Sequence, residues 1–434
     1  MSEITYVKLS SVIKPPISGK RPSGGVNTET EGIPSLGGEN IFQDGGVDLS
    51  VIKKITCEFY HLMSKGKLKY HDVLINKDGA QTGKVGLYEG NFNEAAVNEH
   101  LFILRPNDEK ELNSIYLYYS VLLPETQIKI ERRITGSAQP GLNSKFINSV
   151  DIPYHSLSEQ RKIKNILILA DKVIKNTEVL IKKYEQIMSG LMHDLFTRGV
   201  TAEGKLRLPS EEALEFYQET ALGRIPKEWN ENLLKHYVSH AEYGISTSLN
   251  DDENGIPVLR MNNIKNGKFE LSDLKYSNII NSGKIRLKLN DVLYNRTNSM
   301  EHVGKTAIWK SEIRECAFAS YLVRINFHEE LLLPTYFTYW INQISSQNKL
   351  RCFATPAVQQ VNINPTNLQK IVISVPNNIL EQEKIVGCLE RYDSLLNHER
   401  QMLMKFRMQK KGLMHDLLTG KVRVSVKKKG TADV

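Results

Sequence analysis

The hexapeptide Gly-Leu-Met-His-Asp-Leu occurs twice in this chain, at residues 190–195 and 412–417. The two copies are 222 residues apart, which is about half of the 434-residue chain. A second segment repeats at the same separation, since residues 159–163 (Glu-Gln-Arg-Lys-Ile) are matched by residues 381–385 (Glu-Gln-Glu-Lys-Ile). A long fixed separation indicates an internal duplication, so we expect two related halves that perform one task twice.

Between the two repeated segments of each half, apolar residues are spaced alternately three and four positions apart. This spacing predicts a long helix with a heptad seam. Capping signals at the start and a glycine at the end place the helices at 156–198 and 379–420, each roughly 60 Å long at 1.5 Å per residue. The predicted seam residues are Ile163, Ile166, Val173, Leu180, Tyr184, Ile187 and Leu191 in the first helix, and Ile385, Tyr392, Leu395, Met402, Phe406 and Leu413 in the second.

Two matched helices in one chain can bury their seams most simply by packing against each other. We expect them to run antiparallel, with a pseudo-two-fold axis relating the halves and one domain at each end. The helix pair would then be a spacer of fixed length. A structural coiled coil without a measuring role remains an alternative, but the equal helix lengths in the two halves favour a spacer.

A segment of about 150 residues precedes each helix and has the alternating and short apolar runs of a mixed domain. The predicted fold class is therefore α+β, with mixed domains at 1–155 and 222–378 joined by two long antiparallel helices. A linker at 199–221 and a basic tail at 421–434 complete the chain. The expected strands include 72–76, 101–104, 291–294, 321–325 and 371–375, and the expected helices are 113–122 and 335–345.

Composition limits the class of protein. No apolar run is long enough to cross a membrane, and the first residues lack a signal pattern, so we expect a cytoplasmic protein with no membrane partner. The four cysteines have no paired spacing, which argues against structural zinc. A formal net charge of +8 makes a polyanion such as double-stranded DNA a plausible partner.

Polar loops occupy comparable places in the two domains. They carry lysine and arginine, which suit guanine, and glutamine and asparagine, which suit adenine, together with small hydroxyl residues. We therefore predict that these loops contact DNA, with Lys84, Arg296 and Lys305 as the leading residues. The predicted DNA-binding residues are Lys77, Gln81, Thr82, Lys84, Ser137 and Gln139 in the first domain, and Arg296, Asn298, Ser299, His302, Lys305, Gln359 and Gln360 in the second.

Catalytic motifs fail on spacing. Residues 79–84 resemble a phosphate-binding loop, but the glycines are one residue too close and Val85 replaces the required hydroxyl residue. The Lys14-Pro15-Pro16-Ile17 segment lacks the flanking residues of an amino-methyltransferase site. The His-Asp pairs of the repeated hexapeptide are adjacent on a helix and point about 100° apart, so they do not form a dyad. We predict no catalytic residue and no metal site.

The chain resembles the specificity subunit of Type I restriction-modification systems. The resemblance rests on the duplication and on the Ile225-Pro226-Lys227-Glu228-Trp229 segment, the two Gly-Ile-Pro segments, Gly83-Lys84 and Gly304-Lys305, residues 136–141, and the Glu-Gln segments that begin both helices. The first half lacks the Ile-Pro-x-x-Trp segment, and residues 357–360 (Ala-Val-Gln-Gln) stand where the family often has Gln-Pro-Gly.

The resemblance implies two target recognition domains held apart by two helical spacers. It also implies partners: two methyltransferase subunits, and restriction subunits recruited to them. Such a subunit is not itself an enzyme, so S-adenosylmethionine, ATP and Mg²⁺ would be bound by the partners and not by this chain.

We therefore expect the chain to read a bipartite, asymmetric DNA target. Each domain would contact one half-site in the major groove, with the half-sites about one helical turn, or roughly 34 Å, apart. Two alternatives stay open: a self-sufficient DNA methyltransferase, which would methylate DNA without a partner, and a non-catalytic coiled-coil adaptor, which would protect no specific sequence.

Overall fold

A computed structural model describes residues 4–23, 31–42, 45–136, 140–265, 267–278, 285–356 and 360–425. The chain divides into two compact units: unit 1 takes the residues up to 178 and from 401 onward, and unit 2 takes residues 179–400. Each unit contains one α+β domain, the first part of one long helix and the last part of the other. Among the described residues, no helix combines the length and the apolar character needed to cross a membrane.

Domain 1, residues 4–155 of unit 1, is built from short elements. Its strands are β1 (Thr5–Lys8), β2 (Ile17–Ser18), β3 (Ile33–Leu36), β4 (Lys53–Ile55), β5 (Val73–Asn76), β6 (Val85–Leu87), β7 (Ala96–Val97), β8 (Leu101–Leu104), β9 (Ile134–Thr135), β10 (Gly141–Leu142) and β11 (Asp151–Tyr154). Its helices are α1 (Leu9–Val12), α2 (Cys57–Leu62), α3 (Ser114–Leu122) and α4 (Pro124–Glu131). The long helix α5 (Leu157–Thr197) follows.

Domain 2, residues 200–378 of unit 2, has the same kind of framework. Its strands are β12 (Tyr217–Thr220), β13 (Gly223–Pro226), β14 (Trp229–Leu233), β15 (Val238–Tyr243), β16 (Ile256–Leu259), β17 (Ile264–Lys265), β18 (Lys268–Phe269), β19 (Lys275–Ser277), β20 (Val292–Asn295), β21 (Thr297–Asn298), β22 (Thr306–Ile308), β23 (Ala317–Phe318), β24 (Leu322–Phe327), β25 (Thr355–Pro356), β26 (Val361–Asn362) and β27 (Val372–Pro376). Its helices are α6 (Pro334–Ile341), α7 (Ile344–Arg351) and α8 (Pro365–Leu368), and the second long helix is α9 (Ile379–Leu418).

The two domains share one sheet topology. Domain 1 has a four-stranded antiparallel sheet in the order β2-β8-β5-β6 and a smaller sheet in the order β4-β3-β7, and domain 2 repeats these as β15-β24-β20-β22 and β19-β16-β23. Because side chains alternate along a strand, β5 contributes Val73 and Ile75 to one apolar cluster and Leu74 to another. Strand β20 does the same with Val292, Tyr294 and Leu293. The duplication therefore extends from the helices to the domains.

The predicted helix at 335–345 is confirmed up to Ile341 as α6, but it does not continue to residue 345, because a separate helix, α7, begins at Ile344. The side-chain amide nitrogen of Asn342 donates to the carbonyl oxygens of Thr306 and Thr338, each at 2.8 Å, and its oxygen accepts from the Thr306 N–H at 3.2 Å. This asparagine ties the end of α6 to the neighbouring strand β22. The helix ends where that side chain satisfies the backbone groups of another element.

The long helices begin and end on local signals. At the start of α5, the Ser156 N–H donates to the Glu159 carboxylate at 3.1 Å and the Glu159 N–H donates to the Ser156 hydroxyl at 3.4 Å, which forms a capping box. At the two ends, Gly199 and Gly420 have φ values of 65° and 69°. A Cβ at these glycines would lie 2.2 Å from the Glu381 carboxylate and 1.8 Å from the Ile4 side chain, respectively.

Nine of the thirteen predicted seam residues are buried or half-buried. Ile163 and Ile385 are fully buried, and Tyr184, Leu191, Tyr392 and Phe406 are half-buried, as are Ile166, Leu180 and Met402. The prediction is wrong for Val173, Ile187, Leu395 and Leu413, which are 43%, 37%, 47% and 40% exposed. At several positions the buried residue is the one that follows the predicted seam position in sequence. These buried residues include Leu167, Ile181, Leu389, Leu396 and Met414.

The physical reason is that several seam residues, among them Ile163, Tyr184 and Tyr392, are followed by apolar residues both three and four positions later. The sequence pattern alone does not decide which of the two faces the partner helix. In the structure the partner lies on the face of the i+4 residues, so the i+3 residues form a second apolar stripe that flanks the seam.

The two helices run antiparallel within each unit. In unit 1, Asp171 pairs with Lys410 at 2.5 Å and Glu178, further along α5, pairs with Arg407 at 2.7 Å, earlier in α9. In unit 2, Glu185 pairs with Arg400 at 2.7 Å. These partly exposed ion pairs contribute little to stability, but they report the direction and register of pairing.

The repeated hexapeptide joins the end of each long helix to a domain. Leu195 of the first copy packs in the apolar cluster that contains the core of domain 2, and Met414 and Leu417 of the second copy pack in the cluster that contains the core of domain 1. Leu195, Met414 and Leu417 are therefore packing positions, whereas Leu413 of the second copy is 40% exposed. His193, in contrast, lies exposed, and His415 contacts Glu125 at 2.8 Å.

Candidate nucleic-acid interface

The two polar loops leave the central strands β5 and β20 in the same way. In domain 1, the Asn76 N–H donates to the Lys84 carbonyl at 2.8 Å and the Gly83 N–H donates to the Asn76 carbonyl at 2.7 Å. In domain 2, the matching bonds join Asn295 to Lys305 at 2.9 Å and Gly304 to Asn295 at 2.8 Å. The loops therefore have a common base, and residues 77–82 occupy the place of residues 296–303.

The base of each loop is anchored by a buried asparagine. Asn76 and Asn295 are each 1% exposed. The side-chain amide of Asn76 donates to the Gly38 carbonyl at 3.4 Å, and that of Asn295 donates to the Met261 carbonyl at 3.2 Å. The anchor connects the four-stranded sheet to the chain that follows the smaller sheet, so both loops are held on rigid elements.

The structure brings the two predicted loops of each domain together. The Leu142 N–H donates to the Lys77 carbonyl at 2.6 Å, and in domain 2 the Ile363 N–H donates to the Arg296 carbonyl at 2.8 Å. Strand β21 also pairs with β26, which pairs with β25. In each domain the loop after the central strand and the later hairpin form one surface. Ser137, Gln139 and Gln359, as well as the tail beyond residue 425, lie outside the described residues.

Lys77 and Arg296 occupy equivalent positions, and each cation lies over an aromatic ring. The backbone N–H of Lys77 donates to the His100 carbonyl at 2.9 Å, and that of Arg296 donates to the Tyr321 carbonyl at 3.1 Å. The Lys77 ammonium lies 5.5 Å from the centre of the Phe102 ring. The Arg296 guanidinium lies 5.0 Å from the centre of the Tyr243 ring. Such contacts restrict the side chain while the cation keeps its charge.

The surroundings of Arg296 are aromatic. Its Nε donates to the Ser320 carbonyl at 3.0 Å, which within the described ranges is the one acceptor bonded to this guanidinium. Tyr243 and Tyr321 are about half exposed, at 50% and 46%. Burial raises the pKa of Tyr294, and the Tyr243 phenol raises that pKa further while Arg296 opposes the rise. A planar donor beside exposed rings is suited to contact base edges.

The surroundings of Lys77 are charged. His100 lies 2.6 Å from the Asp78 carboxylate and 3.2 Å from Glu99, and Arg21 lies 3.0 Å from Glu99. This network places two carboxylates beside the Lys77 position. Carboxylates accept hydrogen bonds from the amino group of cytosine, so the two domains present different chemistry at equivalent positions.

The remaining predicted residues differ in how far they are available for DNA. The Thr82 hydroxyl donates to the Gly79 carbonyl at 2.6 Å and lies 3.2 Å from the Pro140 carbonyl, so its contacts hold the two loops together. The Asn298 oxygen accepts from the Ser299 N–H at 2.8 Å. Gln81, Lys84, Lys305 and Gln360 are half-buried at the rim, and Ser299 and His302 are exposed.

Sequence reasoning missed the rings that support the two cations. Phe102 lies on β8 and Tyr243 lies on β15, which is equivalent to β2. Because the supporting rings come from different strands, no repeated spacing marks them. Within the described part of the chain, no group of three or more histidine, cysteine, aspartate or glutamate residues could hold a metal ion.

Comparison with known proteins places the chain in a family. Residues 1–187 and 235–404 match the family described as the Type I restriction modification DNA specificity domain. The chain is 24% identical over 422 residues to the Type I restriction enzyme MjaVIII specificity subunit of Methanocaldococcus jannaschii, a match that covers 94% of this chain and 90% of that protein. It is 29% identical over 214 residues to the putative MjaX specificity subunit of the same organism, but this match covers only 48% of this chain and 50% of that protein.

Solved structures share the fold. The crystal structure of the S subunit of a Type I restriction-modification system from M. genitalium superposes with a TM-score of 0.58 at 14% identity, covering 96% of this chain and 97% of that one. With the family match over most of its length, this chain belongs to the Type I restriction-modification DNA specificity family.

Proposed function

We propose that this chain reads an asymmetric bipartite DNA sequence, with one half-site for each domain, and that its helix pair fixes the gap between the half-sites. The observation that carries the proposal is the pair of equivalent, ring-supported cations, Lys77 and Arg296, at the base of matched polar loops. Cations held in place directly after the central strands are suited to contact base edges, which carry the sequence information that phosphates lack.

The chemistry of the two loops supports an asymmetric target. Domain 1 offers a lysine beside carboxylates, and domain 2 offers an arginine that lies over a half-exposed tyrosine ring. Lysine is a point charge, whereas arginine can form two parallel bonds to a guanine edge. Lys84 and Lys305, at equivalent rim positions, are the candidates for phosphate contacts in both half-sites.

We further propose that the chain is a non-catalytic subunit that scaffolds two methyltransferase subunits and, through them, restriction subunits. S-adenosylmethionine, ATP and Mg²⁺ would be bound by those partners. The second apolar stripe on the long helices supports a docking role: Val173 and Leu395 are equivalent residues of the repeat, and both are more than two-fifths exposed. Exposed apolar residues at matched positions suit one partner type that binds each half.

Exchange of residues 1–155 for the corresponding domain of another family member tests the division of labour. We expect the methylation map of cells carrying the hybrid, with its partner subunits, to show one changed half-site and an unchanged second half-site and gap. The reciprocal exchange of residues 222–378 is the matched control and should change only the other half-site. A change in both half-sites from a single exchange would contradict the proposal.

A further inference from the structure

Each domain is tied to its long helix by a buried glutamine from the repeated Glu-Gln segment. Gln160 and Gln382 are both 0% exposed. The oxygen of Gln160 accepts from the Asn113 N–H at 2.9 Å, and its nitrogen donates to the Glu111 and His155 carbonyls, both at 2.9 Å. Asn113 is the residue that caps α3. One side chain therefore joins α5 to the start of a domain helix and to the chain that leads into α5.

Gln382 repeats this arrangement in unit 2. Its oxygen accepts from the Leu333 N–H at 3.0 Å, and its nitrogen donates to the Leu331 carbonyl at 2.9 Å and the Pro376 carbonyl at 3.0 Å. Leu333 is the residue before α6, the counterpart of α3. Each buried amide makes the same three hydrogen bonds to backbone groups in its half of the chain. Loss of the side chain would leave those three backbone groups without a hydrogen-bond partner, which is energetically costly.

A second contact lies further along each long helix. The Tyr119 hydroxyl of α3 donates to the Asp171 carboxylate of α5 at 2.6 Å, and the Tyr339 hydroxyl of α6 donates to the Asp393 carboxylate of α9 at 3.2 Å. Burial raises the pKa of both tyrosines, and the neighbouring aspartate raises each pKa further, so both phenols stay protonated donors. A cation also pairs with each carboxylate: Lys410 with Asp171 and Lys268 with Asp393.

We propose that these contacts form a two-point clamp that sets the rotation of each domain about its spacer helix and thereby the phase of the two DNA half-sites. The clamp comprises Gln160, Tyr119 and Asp171 in unit 1, and Gln382, Tyr339 and Asp393 in unit 2. These are positioning residues, since they act on DNA only through the domain they orient. The inference rests on the proposed function.

The two contacts act together with the hexapeptide of the other long helix, which packs in the core of the same domain. The glutamine and the aspartate of each helix are 11 residues apart, which corresponds to about 16 Å along the helix axis. Eleven residues are about three turns, so both contacts lie on one face of the helix and fix the position and tilt of the domain along it. The hexapeptide packed in the same domain core opposes rotation about the line that joins the two contacts. Successive base pairs of DNA are rotated by about 34°, since one turn holds 10 to 10.5 base pairs. A domain free to rotate by that angle could not distinguish gaps that differ by one base pair.

The test compares two double variants of the full chain, assembled with its methyltransferase partner. The clamp variant is Tyr119→Phe with Tyr339→Phe. The matched control is Tyr116→Phe with Tyr336→Phe, which removes hydroxyls one turn earlier on the same two helices. Those hydroxyls donate to the Pro153 carbonyl at 3.0 Å and the Ser374 carbonyl at 3.4 Å, and that of Tyr116 also lies 2.6 Å from the His155 ring. The probes are duplexes carrying the target sequence found by methylation mapping, with the native gap or a gap one base pair shorter or longer.

We expect the wild type and the control variant to prefer the native gap strongly. The clamp variant should bind the native duplex with similar affinity but lose roughly tenfold of its preference over the altered gaps, since one hydrogen bond to a charged group shifts a docking equilibrium by about that factor. A clamp variant with wild-type preference, or an equal loss in the control, would overturn the clamp alone. A wild type with no preference for any gap would overturn the proposed function and the clamp together.

Discussion

Replacement of Arg296 by alanine tests whether the ring-supported cation of domain 2 reads a base. A specific arginine contact to guanine is worth about 1–3 kcal/mol, so the affinity for the target should fall by roughly 5- to 150-fold. Because Tyr243 is 50% exposed, its cation–π contact with Arg296 lies in the range of about 0.5–1 kcal/mol. Tyr243→Leu alone should therefore weaken binding by only about two- to fivefold.

The two substitutions should not be additive. Once Arg296 is alanine, removal of the Tyr243 ring should cost nothing further, so a double-mutant cycle should give a coupling energy of about 0.5–1 kcal/mol. The assay is fluorescence anisotropy of the assembled complex with the target duplex and with duplexes substituted at each half-site position. Lys77→Ala is the matched variant in domain 1, and its loss of selectivity should fall in the other half-site.

Two results would refute the reasoning for Arg296. One is unchanged affinity for the target in Arg296→Ala. The other is an equal loss of affinity for all duplexes, together with a decrease of about one in the slope of log affinity against log salt concentration. That pattern marks a phosphate contact.

Three further predictions concern stability and assembly. Glu381→Gln removes the charge that pairs with Arg207 in a site where the two side chains are 9% and 15% exposed, and should lower the free energy of unfolding by about 2 kcal/mol in denaturant titrations. The Ser156 hydroxyl holds the pKa of Glu159 below its usual range. The hydrogen bond between them therefore stabilises the folded chain above the unfolded pKa of about 4.3, and this contribution is lost as pH falls through the lowered folded pKa. Ser156→Ala should therefore lower the melting temperature at pH 7, and the difference in melting temperature between variant and wild type should become smaller below about pH 4. Val173→Glu places a charge in the exposed apolar stripe, so less methyltransferase should co-purify with the chain. The melting temperature of the chain alone should stay within a few degrees of the wild-type value. Undiminished co-purification would argue against docking at this stripe.

The long helices and the duplication could be predicted from sequence because their signals are local. Capping residues, a glycine stop and heptad spacing act within one element, and they identified both helices. The seam was only partly predictable, because two neighbouring apolar residues often fit the same spacing. Ile166 and Leu167 are one such pair, and Leu180 and Ile181 are another. The packing of the second helix decides between them, and that information is not local.

The buried glutamines show how a repeated motif can be found without its role being visible. Gln160 and Gln382 were recognisable as anchors of the repeat, but their bonds join backbone groups up to 51 residues away in sequence. The glutamate that precedes each of these glutamines makes different contacts in the two halves. Glu159 caps its own helix, whereas Glu381 accepts from the indole N–H of Trp229 at 3.2 Å and pairs with Arg207. The absence of an Ile-Pro-x-x-Trp segment from the first half goes with this difference.

The polar loops were found by composition and position, and the residues that orient them were not. Arg296 was one of the three leading residues, whereas Lys77 was one of the other predicted loop residues and Lys84 was favoured over it. Phe102 and Tyr243, which lie under these cations, come from strands whose order in the sheet is set by tertiary pairing. Thr82 illustrates the opposite error, since a residue type that can contact bases instead joins two loops.

The most direct test of the central claim is a long-read map of methylated bases in the native genome compared with that of a strain lacking this gene. The account predicts a methylated motif with two different specified halves separated by a gap of fixed length, and complete loss of that motif in the deletion strain. Persistence of the motif without the gene, or dependence on the gene of a motif with one continuous or palindromic recognition sequence, would contradict it.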